Sequence, residues 1–183
     1  MITETQLIRD CKRGKKSSQY LLVQRYSGML LSVCQRYTRD EAMAKDVLQE
    51  SLIRIFQHID RFDPSKGSFE GWMRRIAIRR SIQWVQRSCF QHELTPISMP
   101  DKAIEVPAVY IDLEVADILQ LVNSLPTGFR TVFNLFVIEG YSHKEIADLL
   151  GISENTSRSQ LVRARKALQE KILTQNSDRY YVR

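Results

Sequence analysis

The chain has 183 residues, 43% of them hydrophobic, with 27 Lys and Arg against 21 Asp and Glu for a formal net charge of +6. That composition excludes a disordered chain and suits one or two packed domains facing a polyanion. No apolar run approaches the ~20 residues that a bilayer demands, the opening MITETQLIRD lacks the apolar core of a signal peptide, and the chain reads as cytoplasmic.

Helical periodicity runs nearly throughout and no stretch alternates as a strand does, so the expected fold class is all-α. Thr3 and Gln6 have capping-box spacing and predict a short first helix. A second helix is expected from Ser17 or Ser18 to about Tyr37, with Leu22, Tyr26, Met29, Leu30 and Val33 as its apolar stripe. A third begins near Asp40 and carries Leu48, Leu52, Ile55 and Ile59 on one face. Its other side shows Asp46, Gln49, Glu50 and Ile53, two carboxylates beside an isoleucine, which suits a protein-binding patch or an ordinary solvated face.

The stretch DRFDPSKGS breaks the pattern at Pro64 and Gly67. Ser68 is placed to cap a fourth helix, FEGWMRRIAIRRSIQWVQR. On it Phe69, Trp72, Met73, Ile76 and Ala77 share one face, and Ile78, Ile82 and Val85 nearly the opposite one. Arg75 and Arg79 lie between, with Arg74, Arg80 and Arg87 around the rest. Apolar, aromatic and basic groups interleaved on one element suit unstacked bases and phosphates together. A core helix with a solvated arginine edge explains the pattern as well.

From Gln91 to Val109 the composition changes. Three of the five prolines fall there, Pro96, Pro100 and Pro107, and no arginine. Such a stretch is long for the inside of a compact domain and reads as a flexible linker. It separates a first domain, 1–90, from a second, 110–175, with a tail over 176–183. Residues 1–100 hold 17 Lys and Arg against 10 Asp and Glu, and residues 101–183 hold 10 against 11, so the two halves present different surfaces.

The second domain opens with IDLEVADILQLVNSL and continues with LPTGFRTVFNLFVIEG, which Gly140 ends. Ser142 and Glu145 then form a second capping box. In HKEIADLLGISENTSRSQLVRARKAL, Ile146, Ala147 and Leu150 make one face of a short helix. Gly151 suits the left-handed turn, Ile152 plugs the corner and Ser153 caps the next helix. Leu161, Ala164 and Leu168 continue the buried stripe. This is helix-turn-helix grammar. The second helix exposes Asn155, Arg158, Ser159, Arg163 and Lys166, with Arg158 near the end that reaches base edges and the last two set for phosphates. A helical hairpin with a solvated basic face is the alternative. Ser157 falls on the core stripe, where a hydroxyl costs packing.

Cys11, Cys34 and Cys89 match no metal or redox spacing, and His58, His92 and His143 form no cluster with them. There is no phosphate loop or nucleophile elbow, so nothing points to an enzyme, a cofactor or a metal.

Together these motifs resemble the sigma-70 family of bacterial transcription initiation factors, in its small extracytoplasmic-function type. DVLQESLIRIFQHIDRFDPSKGSFEGWMRRIA is similar to region 2, and LPTGFRTVFNLFVIEGYSHKEIADLLGISENTSRSQLVRARKAL to region 4. The resemblance implies that Asp46, Gln49, Glu50 and Ile53 grip the clamp helices of the largest subunit of core RNA polymerase. It implies that Asp63, Lys66, Ser68, Phe69, Trp72, Arg75, Arg79 and Arg80 melt the promoter −10 element and capture its flipped bases. It assigns the −35 duplex to Ser142, Lys144, Asn155, Thr156, Arg158, Ser159, Arg163 and Lys166. Further implied partners are the flap of the second-largest polymerase subunit and a separate anti-sigma factor, since no regulatory domain is expected after region 4. The linker, with Glu93, Asp101 and Glu105, is expected to thread toward the RNA path.

Arg79 and Gln83 stand where the family commonly has asparagine and aspartate, which bears on the −10 preference. One rival, a dimeric operator-binding regulator, calls for a ligand or receiver domain and a dimer interface. Another, a small serine recombinase, calls for a strand-rich N-terminal domain around a nucleophilic serine.

Overall fold

The structure, a computed structural model, describes residues 2–38, 40–88 and 115–180. The linker expected over 91–109, the start of the second domain near Tyr110, and the residues Cys89 and His92 lie outside the described residues, as does the end of the tail from 181. Among the described residues every regular element is helical, as the periodicity predicts. The chain divides into two units, Met1–Ser88 and Cys89–Arg183.

The first unit holds α1 (Glu4–Lys12), α2 (Lys16–Gln35), α3 (Glu41–His58) and α4 (Phe69–Ser88). Thr3 Oγ1 accepts the Gln6 N–H at 3.3 Å, but the Gln6 amide turns away to Asp10 Oδ1 at 3.0 Å. The first capping box is therefore half formed. Helix α2 starts at Lys16, earlier than Ser17 or Ser18, and has no side-chain cap. Ser18 is instead buried and its hydroxyl lies 3.5 Å from Asp10. Helix α3 begins beside Asp40 as expected, and Asp40 caps it, accepting from the Met43 N–H at 2.8 Å.

Helices α2, α3 and α4 pack pairwise, and α1 lies on α2. The buried line of α3 is Ala44, Val47, Ser51 and Ile55, with Leu48 and Leu52 only half-buried on its flank. The shift from the expected stripe has a steric cause. Cys34, Ser51 and Ser81 are all fully buried where the three helices meet, and the Cys34 thiol bonds to both serine hydroxyls. Small side chains there let the backbones approach closely. Their hydroxyls cost little because each bonds its own helix: Ser51 to the Val47 carbonyl at 2.7 Å and Ser81 to the Ala77 carbonyl at 2.9 Å. Burial pushes the Cys34 thiol up to about 11, so it behaves as an apolar core group. Leu22, Leu30, Met73, Ile78 and Ile82 complete the core, each contributing about 1.5–3 kcal/mol by burial.

The second unit holds α5 (Val115–Asn123), α6 (Thr127–Phe133), α7 (His143–Leu150) and α8 (Glu154–Tyr180). The expected helix through LPTGFRTVFNLFVIEG changes to a π turn over Asn134–Ile138, a form frequent at functional positions. Helix α8 is the spine on which α5, α6 and α7 each pack. Leu121, Val122, Leu125, Ala164 and Leu168 form one core cluster, and Ile146, Leu150 and Leu161 are buried nearby in the sequence of the helical hairpin.

Candidate nucleic-acid interface

The helix-turn-helix is built by its caps. Ser142 Oγ accepts the Glu145 N–H at 3.3 Å while the Glu145 carboxylate accepts the Ser142 N–H at 2.8 Å, a complete capping box. That bonding holds the Glu145 carboxyl below its ordinary value. Gly151 closes α7 in the left-handed region at φ 69° and ψ 35°, a conformation that costs a side chain about 1–2 kcal/mol. Ser153 Oγ accepts the Thr156 N–H at 3.0 Å and opens α8.

Of the residues expected on the duplex, Ser142, Lys144, Asn155, Arg158 and Lys166 are exposed, and Thr156, Ser159 and Arg163 half-buried. Ser142 is occupied as a cap, and the Thr156 and Ser159 hydroxyls bond within their own helix, to Ser153 Oγ at 2.8 Å and the Thr156 carbonyl at 2.9 Å. Arg158 is held in place: Nη2 donates to Glu154 Oε2 at 2.8 Å and Nη1 to Asn155 Oδ1 at 3.3 Å. The remaining N–H groups of its fork stay available for a bidentate contact. The sequence reading missed Glu154, Arg165 and Val162, although Asn155, Val162 and Lys166 recur at i, i+7 and i+11. Val162 is 44% exposed, an apolar group on a polar face.

Ser157 is fully buried and its hydroxyl lies 2.9 Å from His143 Nδ1. The His143 ring in turn stacks on Phe136 of the π turn, centroids 4.5 Å apart. The off-pattern serine therefore ties α8 to the start of α7 and to the π turn. Burial, then the cation of Arg158, hold the imidazole below its ordinary value, Arg165 adding to this and Glu154 opposing it.

In the first unit, the segment between α3 and α4 is made of two short 3₁₀ turns, Ile59–Arg61 and Pro64–Lys66. Asp63 Oδ1 accepts from the Ser65 N–H at 3.0 Å and the Ser65 hydroxyl at 2.7 Å, which holds its carboxyl down. Ser68 Oγ caps α4 through the Gly71 N–H at 3.1 Å. A recess of about 210 Å³ opens here, lined by Phe62, Asp63, Lys66, Ser68, Trp72 and Arg75 among others. Trp72 is half-exposed and stacks on Phe69, centroids 5.7 Å and planes 17° apart. Phe69 itself is 1% exposed, so it supports Trp72 from the core and offers no surface of its own. Arg75 and Arg79 are exposed on the same side of α4 as Trp72.

Arg80 stands apart from that group. Its Nη1 lies 4.0 Å from Glu50 Oε2 on α3 and 3.0 Å from Gln83 Oε1. It borders the patch of Asp46, Gln49, Glu50 and Ile53, all four of which are exposed. Among the described residues no group of His, Cys, Asp and Glu could hold a metal, and no helix is long and apolar enough to cross a membrane.

A helix-turn-helix with a cationic reading face, and a separate helical unit with an aromatic and basic recess, define a nucleic-acid-binding protein. Residues 22–88 match the family model Sigma-70 region 2, and residues 116–168 match Sigma-70, region 4. The chain is 30% identical over 165 residues to the ECF RNA polymerase sigma factor SigE of Mycolicibacterium smegmatis, a match covering 86% of this chain and 62% of that one. It is 28% identical over 182 residues to the RNA polymerase sigma-H factor of Pseudomonas aeruginosa, covering 90% and 91%. The solved structure of CnrH in complex with the cytosolic domain of CnrY has the same fold, with a TM-score of 0.50 at 24% identity over 92% of this chain and 96% of that one. The chain belongs to the sigma-70 family of transcription initiation factors, in its ECF group.

Proposed function

We propose that this protein docks on core RNA polymerase and directs it to promoters by two separate readings of DNA. The first module, 1–90, opens the −10 element and holds unpaired bases; the second, 110–175, reads the −35 element as duplex. The observation that carries the reading is the Trp72 recess. Melting is driven only by surfaces that bind a base out of the stack better than one in it. A half-exposed indole backed by Phe69, with Lys66 and Arg75 at the same opening, is such a surface. Arg79 extends the cationic side along α4.

The patch of Asp46, Gln49, Glu50 and Ile53 meets the clamp helices of the largest subunit, its carboxylates setting the charge match and Ile53 the apolar centre. In the second module a recess of about 520 Å³ between α5 and α8, floored by Leu121 and Ala167, takes the flap of the second-largest subunit. Ile118, Leu119 and Leu173 are exposed on these helices. An anti-sigma protein that covers these same faces supplies control.

The test is binding of reconstituted holoenzyme to fork-junction DNA with an unpaired −10 strand. Trp72→Ala is expected to weaken that binding about tenfold and to leave binding to the isolated −35 duplex unchanged. Equal weakening on both would place Trp72 outside base capture.

A further inference from the structure

His143 opens α7 between Ser142 and Lys144, both exposed, and its ring is held from two directions. One face stacks on Phe136, with centroids 4.5 Å and planes 22° apart. Nδ1 lies 2.9 Å from the hydroxyl of Ser157 on α8. Ser157 is fully buried, and its hydroxyl bonds no other described residue. A buried hydroxyl gives its hydrogen to the acceptor it has. The Ser157 O–H therefore donates to Nδ1, and the imidazole proton sits on Nε2. Nε2 bonds no described residue and is not an enclosed atom. The half-buried ring thus turns one N–H donor outward at the start of α7.

We infer that His143 is a phosphate-contacting residue of the −35 interface, aimed by Ser157, and that docking of the duplex draws a second proton from solvent onto its ring. The inference rests on the proposed reading of the −35 element as duplex by the second module. Its place in the chain supports it: the donor lies between Ser142 and Lys144 of that expected interface, and the hydroxyl that aims it lies between Thr156 and Arg158. Ser157 also suits both states of the ring. Its hydroxyl donates to a bare Nδ1 and accepts from a protonated one, where an apolar side chain does neither. The surrounding charge leaves room for an anion. Burial, then Arg158 and Arg165, keep the free imidazole below its ordinary value, with Glu154 opposing them. On α7 Lys144 is a further cation and the Glu145 carboxylate is occupied by Ser142, while the π turn over Asn134–Ile138 brings no charge. A phosphate at Nε2 reverses that balance and favours the charged ring.

The experiment measures holoenzyme binding to the −35 duplex from about pH 7.5 down to about pH 6. The wild-type protein is expected to bind about threefold tighter at the acid end, with a slope of log affinity on log salt about 0.5 steeper there. His143→Asn keeps a donor near the place of Nδ1 but takes up no proton, and should show neither change. Ser157→Ala leaves the ring unaimed and should lose most of the tightening. All the proteins share the same polymerase and the other histidines, so the difference from His143→Asn isolates this ring. Stability falls as the pH falls, opposite to the expected tightening, so unfolding cannot imitate it. If His143→Asn keeps the wild-type pH profile while Arg158→Ala weakens duplex binding, His143 touches no phosphate: the inference is overturned and duplex reading stands. A flat wild-type profile overturns it too. If Ser157→Ala keeps the wild-type profile, the aiming by Ser157 is overturned. If Arg158→Ala leaves duplex binding unchanged, the duplex reading itself fails, and the inference with it.

Discussion

Arg80 of α4 leans on Glu50 of α3, Nη1 to Oε2 at 4.0 Å, with the arginine side chain 16% exposed and the glutamate 49%. The contact orients one acid of the α3 patch while leaving its carboxylate open to a partner. An ion pair of this exposure adds little to stability; its effect is on where Glu50 points.

The patch predicts how polymerase binding fails. Glu50→Arg combined with Ile53→Ala removes a charge match and an apolar contact together, and co-purification with core polymerase is expected to be lost. Helical content and melting temperature should stay near wild type, because both side chains are exposed. Undiminished co-purification would remove this face from the interface.

The placement of Arg80 also separates it from Arg75. In holoenzyme binding to fork-junction DNA, Arg75→Ala is expected to cost at least fivefold, roughly the 1 kcal/mol of one lost phosphate or stacking contact. Arg80→Gln should cost less than twofold. The reverse order would return Arg80 to the DNA side.

Much of this was legible in the sequence. Asp40, Ser142, Glu145, Gly151 and Ser153 all act as their residue types and spacing foretell, because a cap is decided within four residues. Arg80 was harder. One buried line of α4 runs Phe69, Met73, Ala77, Ser81, Val85, joined from its middle by Ile78 and Ile82, and its step of four turns the core line about 40° each time. By the middle of the helix the core has moved round, and Arg80 has gone with α3 while Arg75 and Arg79 remain beside Trp72. Ser51 was hidden because its burial depends on Cys34 and Ser81 being small, a fact spread over three helices. The half-formed cap at Thr3 went unforeseen because Gln6 has a competing partner in Asp10.

The pairing of His143 with Ser157 predicts non-additive stability. Ser157→Val leaves the imidazole nitrogen without its partner and should destabilise the second module by about 1 kcal/mol. His143→Leu should cost a similar amount, and the double variant less than the sum, as read from thermal unfolding; strict additivity would deny the pair. A pH dependence accompanies it. The folded imidazole titrates below its ordinary value of 6.5, so the unfolded chain binds the proton first. Stability is therefore full above pH 6.5 and declines as pH falls below it. His143→Leu removes that decline. The loss from Glu145 sets in at lower pH than that from His143, as pH falls through its ordinary 4.5.

Arg158, steadied by Glu154 and Asn155, predicts base-specific discrimination. Arg158→Ala should cost about 1–3 kcal/mol at one −35 base pair and little elsewhere, measured by binding to a set of single-base variants of the duplex. An even loss across all variants would assign it to phosphate.

The most direct measurement is run-off transcription by core RNA polymerase on a library of genomic fragments, with and without the purified protein. Docking, melting at Trp72 and duplex reading by α8 together predict new RNA chains from a defined set of start points that share upstream sequence at two spaced positions, and none of these with the Glu50→Arg, Ile53→Ala variant. RNA output identical to that of core polymerase alone on every fragment would contradict the account.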